Sequence, residues 1–239
     1  MYLYGASGHG KVIKEILEIQ GVSVKAFIDD NKAVSEMCDK LVKHTADGLS
    51  PIIVSIGNNQ SRKIVAERLK CEFGIAIHPS AVVSPTAKIG EGSVVMAGAI
   101  INAEAVIGKH CIINTGASID HECTIGDYAH IAPHATLCGQ VQVGEGTLVG
   151  VGASVIPCVT IGDWCTIGAG AAVVDDVKDM EVVGGVPAKV IKYRFDVNKT
   201  EIGSKQPDNQ VVVENQRGGK YLIFNKLERP QERRNSYAA

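Results

Sequence analysis

Residues 101–130 read INAEAV IGKHCI INTGAS IDHECT IGDYAH, five blocks of six that each open on isoleucine and carry Ala or Cys in fifth place. The same frame runs without insertion from Ile77 to Lys178. All seventeen first positions are Ile, Val or Leu, and no fifth position holds a side chain larger than Val. The pattern predicts a parallel β-solenoid. One large aliphatic residue per six points inward from each short flat face, and the small residue beside it lets the chain turn without crowding the axis. Three blocks make one triangular coil, so seventeen give between five and six coils. Glycine recurs at the second position (Gly90, Gly108, Gly126, Gly144, Gly150, Gly162, Gly168), where a corner is expected to need an unusual backbone angle. Cys111, Cys123 and Cys165 occupy fifth positions and read as small core residues.

Composition agrees with a narrow interior. Aromatic residues are only 5% of the 239, so the core must be built from small aliphatic side chains. With 21% charged residues and a net charge of −2, the chain reads as folded and soluble, with no reason to expect nucleic acid or an anionic membrane as its main partner. The opening MYLYGASGHGKV lacks a charged region before an apolar run, no stretch approaches a spanning helix, and the expected location is the cytoplasm. Seven cysteines without paired CxxC spacing fit a reducing compartment. The solenoid segment carries a net −6 and the flanks together +4, so phosphate-rich ligands are expected to meet the flanks.

Residues 1–76 follow another pattern. Tyr2-Leu3-Tyr4 is a strand candidate, Gly5–Gly10 a glycine turn, and Val12, Ile13, Ile16, Leu17 and Ile19 recur at helical spacing. Strands over 24–28 and 52–56 and a helix over about 60–69 complete a small Rossmann-like α/β domain. The turn is GxxGxG rather than GxGxxG. Its backbone N–H groups at a helix N-terminus would suit a phosphate, and an ordinary tight turn is the competing reading. Asp29-Asp30, ending the second strand, stands where such folds contact a nucleoside, or is a solvated acidic turn. The expected division is an α/β domain over 1–76, the solenoid over 77–195 and a C-terminal extension over 196–239. In that extension two apolar runs around Arg217-Gly218-Gly219-Lys220 suggest a hairpin.

Four histidines, His110, His121, His130 and His134, cluster in the solenoid. His121 is the third residue of its block, off the inward stack and flanked by Asp120 and Glu122. A histidine beside a carboxylate has its tautomer fixed and its basicity raised, as a general base near neutral pH requires.

Three motifs carry a family resemblance: YGASGHG at 4–10 with FIDDN at 27–31, NTGASIDHECTIGDYAHIA at 114–132, and GGVPAK at 184–189. Residues 1–192 resemble the hexapeptide-repeat sugar acyltransferases, in particular the nucleotide-sugar N-acetyltransferases of 4-amino-4,6-dideoxy sugars and the sialic acid O-acetyltransferases. The resemblance implies a left-handed parallel β-helix, although parallel crossovers are generally right-handed. It also implies acetyl-CoA as co-substrate, no metal, and a homotrimer with active sites between subunits. By the same resemblance His121 is the base that takes the acceptor's proton and Glu122 raises its basicity. His130 and Gly139 lie near the acetyl-CoA thioester, and Val151 and Ala169 contact the pantetheine arm. Ser7, Gly8, His9, Asp29, Asp30 and Gly57 hold the nucleotide sugar. The expected reaction is direct N-acetylation of a nucleotide-linked amino-deoxy sugar, with O-acetylation of sialic acid or another sugar as the alternative. A γ-carbonic-anhydrase-like zinc enzyme, with histidines on the metal, and a non-catalytic scaffold are remoter readings. Nothing in the family pattern calls for residues 196–239.

Overall fold

The computed structural model describes residues 1–194 and, beyond them, the strands Gln210–Glu214 and Lys220–Phe224. Each block of six supplies a two-residue strand, formed by its first residue and the one before it, as in Ile100–Ile101, Val106–Ile107 and Ile112–Ile113. Each strand pairs in parallel with the one eighteen residues on: Ile101 with Ile119, Ile107 with Ile125, Ile113 with Ile131. This stacking builds three sheets, one for each side of the coil, of six, five and six strands, and two strands past the repeat extend the last to eight. The first-position residues from Val95 to Val173 meet the small fifth-position residues in one core without an aromatic ring. Burial of each such Ile or Val is worth about 1.5–3 kcal/mol.

The fifth position has a second use. The thiols of Cys111, Cys123 and Cys165 donate to the carbonyls of Gly126, Cys138 and Lys178 at 3.1, 3.1 and 2.9 Å. The hydroxyls of Ser93 and Thr147, at the same place in their blocks, donate to Gly108 and Gly162. A small side chain there either packs or returns one hydrogen bond to the backbone.

The corners correct the expectation about glycine. Left-handed backbone falls on the fourth position, and it does so whether or not the residue is glycine: Glu104, His110, Glu122, Tyr128, His134, Gln140, Cys158 and Trp164 all have φ between 53° and 64°. The second-position glycines are required by space instead. A Cβ on Gly108 would stand 2.8 Å from the Asp127 amide nitrogen, and one on Gly126 2.7 Å from that of Glu145. Successive coils touch backbone to backbone at these points.

Past Val173 the step between coils shortens, and Ile161 already bridges to Val177, sixteen residues on. Thr166 pairs with Val182 and Ile167 with Val183, sixteen residues on, so the stack gains a rung after the frame of six has ended. Glu181–Gly184 then pairs antiparallel with Lys189–Tyr193 across the GGVPAK turn. In the C-terminal extension Gln210–Glu214 and Lys220–Phe224 pair antiparallel, with Val212 opposite Leu222. Arg217-Gly218-Gly219, expected as their turn, lies outside the described residues.

In the N-terminal unit, β1 (Tyr2–Tyr4), α1 (Gly8–Ile19), β2 (Ala26–Ile28), β3 (Glu36–Met37), β4 (Lys40–Lys43), β5 (Ile52–Val54) and α2 (Asn59–Arg68) follow one another. β1 pairs in parallel with β2 and β5, and β2 with β4. The β3–β4 hairpin adds an antiparallel edge that the sequence pattern did not reveal. α1 buries Gly10, Ile13, Ile16 and Leu17, and these pack with Leu3 and Phe27 and with Val94, Met96 and Ile112 of the eight-stranded side. α2 is capped by Asn58, whose side chain accepts from the Ser61 N–H at 2.9 Å. Among the described residues no helix is long and apolar enough to cross a membrane.

Candidate active site

His121 sits in the corner that follows the six-stranded side. Glu122 has φ 59°, and this turn places its carboxylate beside the preceding side chain: His121 Nδ1 meets Glu122 Oε2 at 2.9 Å. Gln140, one coil on, donates from Nε2 to the same oxygen at 3.1 Å. The two bonds, that from Gln140 first, hold the Glu122 carboxyl below its ordinary range. Asp120 Oδ1 accepts from the His121 N–H at 2.8 Å and from Asn102 Nδ2 at 2.9 Å, which fixes the backbone under the ring. With Nδ1–H directed at Glu122, the lone pair of Nε2 faces outward. Gly139 lies against that edge of the ring, where a Cβ would come within 2.6 Å of both Nε2 and Cε1. A half-exposed imidazole with an oriented carboxylate on one nitrogen and an open second nitrogen is equipped to accept a proton.

The N-terminal turn is built by three glycines in three ways. Gly5 has φ 118°, Gly10 is too close to the Gly5 carbonyl for any Cβ (2.6 Å), and Gly8 faces open space. Ser7 caps α1 with an exposed side chain that makes no capping bond, and the first turn holds no acidic residue. No acidic residue of its own first turn thus offsets the N-terminus of this twelve-residue helix. Asp29 braces this turn: its carboxylate accepts from Ala6 N–H at 2.8 Å and from Asn31 N–H at 2.9 Å. Asp30 accepts from Tyr4 Oη at 2.5 Å and pairs with Arg68 at 3.0 Å. The Tyr4 bond, then Arg68, keeps Asp30 ionised below its usual range, while burial and Asp30 push the Tyr4 hydroxyl up to about 12. Beside this trio opens a cavity of about 430 Å³, walled also by His44, Asp47 and Lys70. Gly57 is exposed at the end of β5, its carbonyl accepting from Arg62 at 3.1 Å.

Arg62 joins the two parts of the chain. Its side chain is buried and donates to His110 O at 2.8 Å, Tyr128 O at 2.7 Å, Ile56 O and Asn59 Oδ1 at 2.9 Å, with no carboxylate partner among the described residues. Burial lowers its pKa to about 10. The surviving charge acts on three imidazoles. Burial first, and Arg62 second, press His9 and His110 down to about 4 and His130 to about 3. All three are neutral at pH 7. Asn114 Oδ1 accepts from Thr115 N–H, so its Nδ2 donates to His130 Nε2 at 3.0 Å. His130 is thereby the Nδ1–H tautomer, a fixed hydrogen-bond donor.

The predicted residues thus form separate groups. His121, Glu122 and Gly139 meet at one corner, while Ser7, Gly8, His9, Asp29 and Asp30 gather at the strand ends of the N-terminal unit. His130 joins His9 and Arg62 on the eight-stranded side rather than His121. Val151 and Ala169 fall on a third corner, both exposed, where the Gly170 N–H donates to Val151 O at 2.8 Å. Among the described residues the polar contacts of α2 to the solenoid, through Asn59 and Arg62 and the Lys63–Glu145 pair, fall on the remaining corner. At that corner Asp127 and Asp163 cap the third-position N–H groups of Lys109 and Glu145, both at 2.7 Å. Gly139, Val151 and Ala169 occupy the same place in their blocks, and among the described residues their N–H groups donate to nothing. Among the described residues no three His, Cys, Asp or Glu side chains converge as metal ligands. Sequence reasoning missed Arg62, Asn114 and Gln140. Only Gln140 carried a signal, lying eighteen residues after Glu122.

Comparison with known proteins places this geometry. The PglD N-terminal domain family matches residues 1–69, and the bacterial transferase hexapeptide family matches 104–139 and 140–174. The chain is 45% identical to UDP-N-acetylbacillosamine N-acetyltransferase of Bacillus subtilis over 39% of its own length, and spans about half (49%) of that curated relative. Among solved structures it resembles PerB of Caulobacter crescentus in complex with CoA and GDP-perosamine (42% identity, TM-score 0.75, covering 80% of this chain and 96% of that one). It also resembles the acetyltransferase domain of PglB from Neisseria gonorrhoeae in complex with acetyl coenzyme A (38%, TM-score 0.74, 80% and 98%). With a PglD-type N-terminal domain set before a hexapeptide solenoid, and this likeness across nearly the whole of each solved relative, the chain belongs to the hexapeptide-repeat sugar acyltransferase family.

Proposed function

We propose that the chain is an acetyl-CoA-dependent N-acetyltransferase acting on the amino group of a nucleotide-activated amino-deoxy sugar, by direct transfer with His121 as general base. The observation that carries this reading is the His121–Glu122 pair at 2.9 Å, its outer nitrogen set against Gly139. The sugar amine attacks the thioester carbonyl carbon and gives its proton to His121 Nε2. Glu122 favours the imidazolium as it forms. The Gly139 N–H suits the developing oxyanion. The tetrahedral intermediate then collapses, the C–S bond breaks, and CoA leaves as thiolate to take up the proton. A covalent cysteine is unnecessary. The Cys111 and Cys165 thiols are pushed up to about 12 and 11 by burial, that of Cys123 is raised likewise, and all three donate into the core.

The acceptor's phosphates fit the Gly5–Gly10 turn, and its nucleoside fits the cavity beside Asp30. Asp29 then acts through the turn it braces. The pantetheine arm fits the undonated N–H groups of Val151 and Ala169. The polar contacts of α2 among the described residues fall on a different corner from that of His121, which supports a site combining His121 with the N-terminal unit of a second copy of the chain. This favours a homotrimer with active sites between subunits. His130, a neutral donor beside His9, serves the acceptor side of such a site.

A base of this kind would also deprotonate a sugar hydroxyl. The curated relative from Bacillus subtilis is an N-acetyltransferase by name, which favours the amine. Thiol release from acetyl-CoA, measured against nucleotide amino sugars and free sialic acid, tests the choice. Turnover with an amine acceptor is expected. An O-acetyl product with no amine turnover would overturn the substrate class.

A further inference from the structure

Glu104, Glu122, Gln140 and Cys158 occupy the fourth position of successive coils, eighteen residues apart along the corner that carries His121. Within this column the side chains are linked. Cys158 Sγ donates to Gln140 Oε1 at 3.4 Å, and Gln140 Nε2 donates to Glu122 Oε2 at 3.1 Å. The same Oε2 accepts from His121 Nδ1 at 2.9 Å.

We propose that Gln140 is a positioning residue for acyl transfer, holding Glu122 in the one orientation that aligns His121; the role rests on the acetyltransferase reading above. The Glu122 side chain is 48% exposed and sits next in sequence to the histidine it serves. A carboxylate with a single neighbour on its own turn would rotate into water. Gln140 comes from the next coil, whose position is fixed by backbone pairing: the Gln140 N–H donates to His121 O at 2.9 Å. It therefore anchors Oε2 to the scaffold rather than to the turn. The Cys158 thiol on Oε1 sets the amide so that its NH₂ faces Glu122. Glutamine meets this need because it is neutral. A carboxylate at 140 would repel Glu122, and an amine would draw it away from the imidazole as an ion pair.

Gln140→Met keeps the length of the side chain and removes the donor. Gln140→Glu keeps the shape and adds a charge. With acetyl-CoA and an amine acceptor, Gln140→Met should lower kcat about 5- to 10-fold with the acetyl-CoA KM unchanged. In a Glu122→Ala background the same change should cost less than about 2-fold, because its target is gone. Gln140→Glu should move the acidic limb of the kcat/KM profile upward by about half a pH unit or more. The charged groups bonded to His121 here are Asp120, at its N–H, and Glu122, at its Nδ1, and neither is replaced by a change at position 140. Wild-type kcat in Gln140→Met, an equal loss with and without Glu122, or an unmoved limb in Gln140→Glu would overturn the proposal while leaving acyl transfer standing. Wild-type protein that releases no CoA with any acceptor overturns the acetyltransferase reading, and this proposal with it.

Discussion

Replacing His110 with phenylalanine should remove about 2 kcal/mol of acid sensitivity from the protein. His110 is 3% exposed, with its ring stacked on Tyr128 (centroids 5.3 Å, 2°) and edge-on to Phe73 (4.5 Å). Its Nδ1 is buried without a hydrogen-bond partner among the described residues. Burial and the nearby Arg62 charge lower its pKa from 6.5 to about 4 in the folded chain. Between these values the unfolded chain binds a proton that the folded chain refuses. Stability is therefore fully present above pH 6.5 and declines as the pH falls from there towards 4. From pH 7 to pH 5 linkage gives a loss of about 2 kcal/mol for this one group. His9 and His130, lowered to about 4 and about 3, act in the same direction. Phenylalanine preserves both ring contacts and cannot titrate. Its left-handed backbone, inherited from φ 53°, costs about 1 kcal/mol at every pH and leaves the difference untouched. Urea unfolding of both proteins at pH 7 and pH 5 measures the effect. Equal losses in the two proteins would refute the claim that His110 is held neutral by its burial against Arg62.

Gly139→Ala puts a methyl group within 2.6 Å of the His121 ring, so activity should fall by roughly 10²-fold while the fold is retained, read as kcat against the circular dichroism melting curve. Gly108→Ala drives a Cβ into the Asp127 backbone and should destabilise the solenoid by about 2–3 kcal/mol in urea unfolding without a change in local φ. A site drawn from two copies predicts complementation. In the proposed homotrimer, mixed assemblies of His121→Ala with an N-terminal-unit variant such as Asp30→Ala should regain up to about a quarter of wild-type activity, and none if each site lies within one chain.

The solenoid was legible because its core repeats: first-position aliphatics and small fifth-position residues report the inward face directly. The corners were not, because a left-handed residue there is imposed by stacking coils rather than by local preference, and Glu122 or Tyr128 at φ near 60° gives no local sign of it. The His121–Glu122 pair was readable as neighbours in sequence. Arg62 was not, since a charged residue on a ten-residue helix reads as solvated until the fold buries it. His9 and His130 were singled out for two different ligands, and the fold brings them within reach of the same Arg62 charge.

Direct transfer requires a base that takes the acceptor's proton. The measurement that tests it most closely compares His121→Ala with Cys123→Ala and Cys138→Ala in kcat/KM for the amine at neutral pH, with acetyl-CoA affinity followed in parallel. His121→Ala should lose roughly 10²- to 10⁴-fold with acetyl-CoA binding retained, and the cysteine variants should stay near wild type. Near-normal activity in His121→Ala alongside its loss in either cysteine variant would contradict direct transfer and require an acyl-enzyme route.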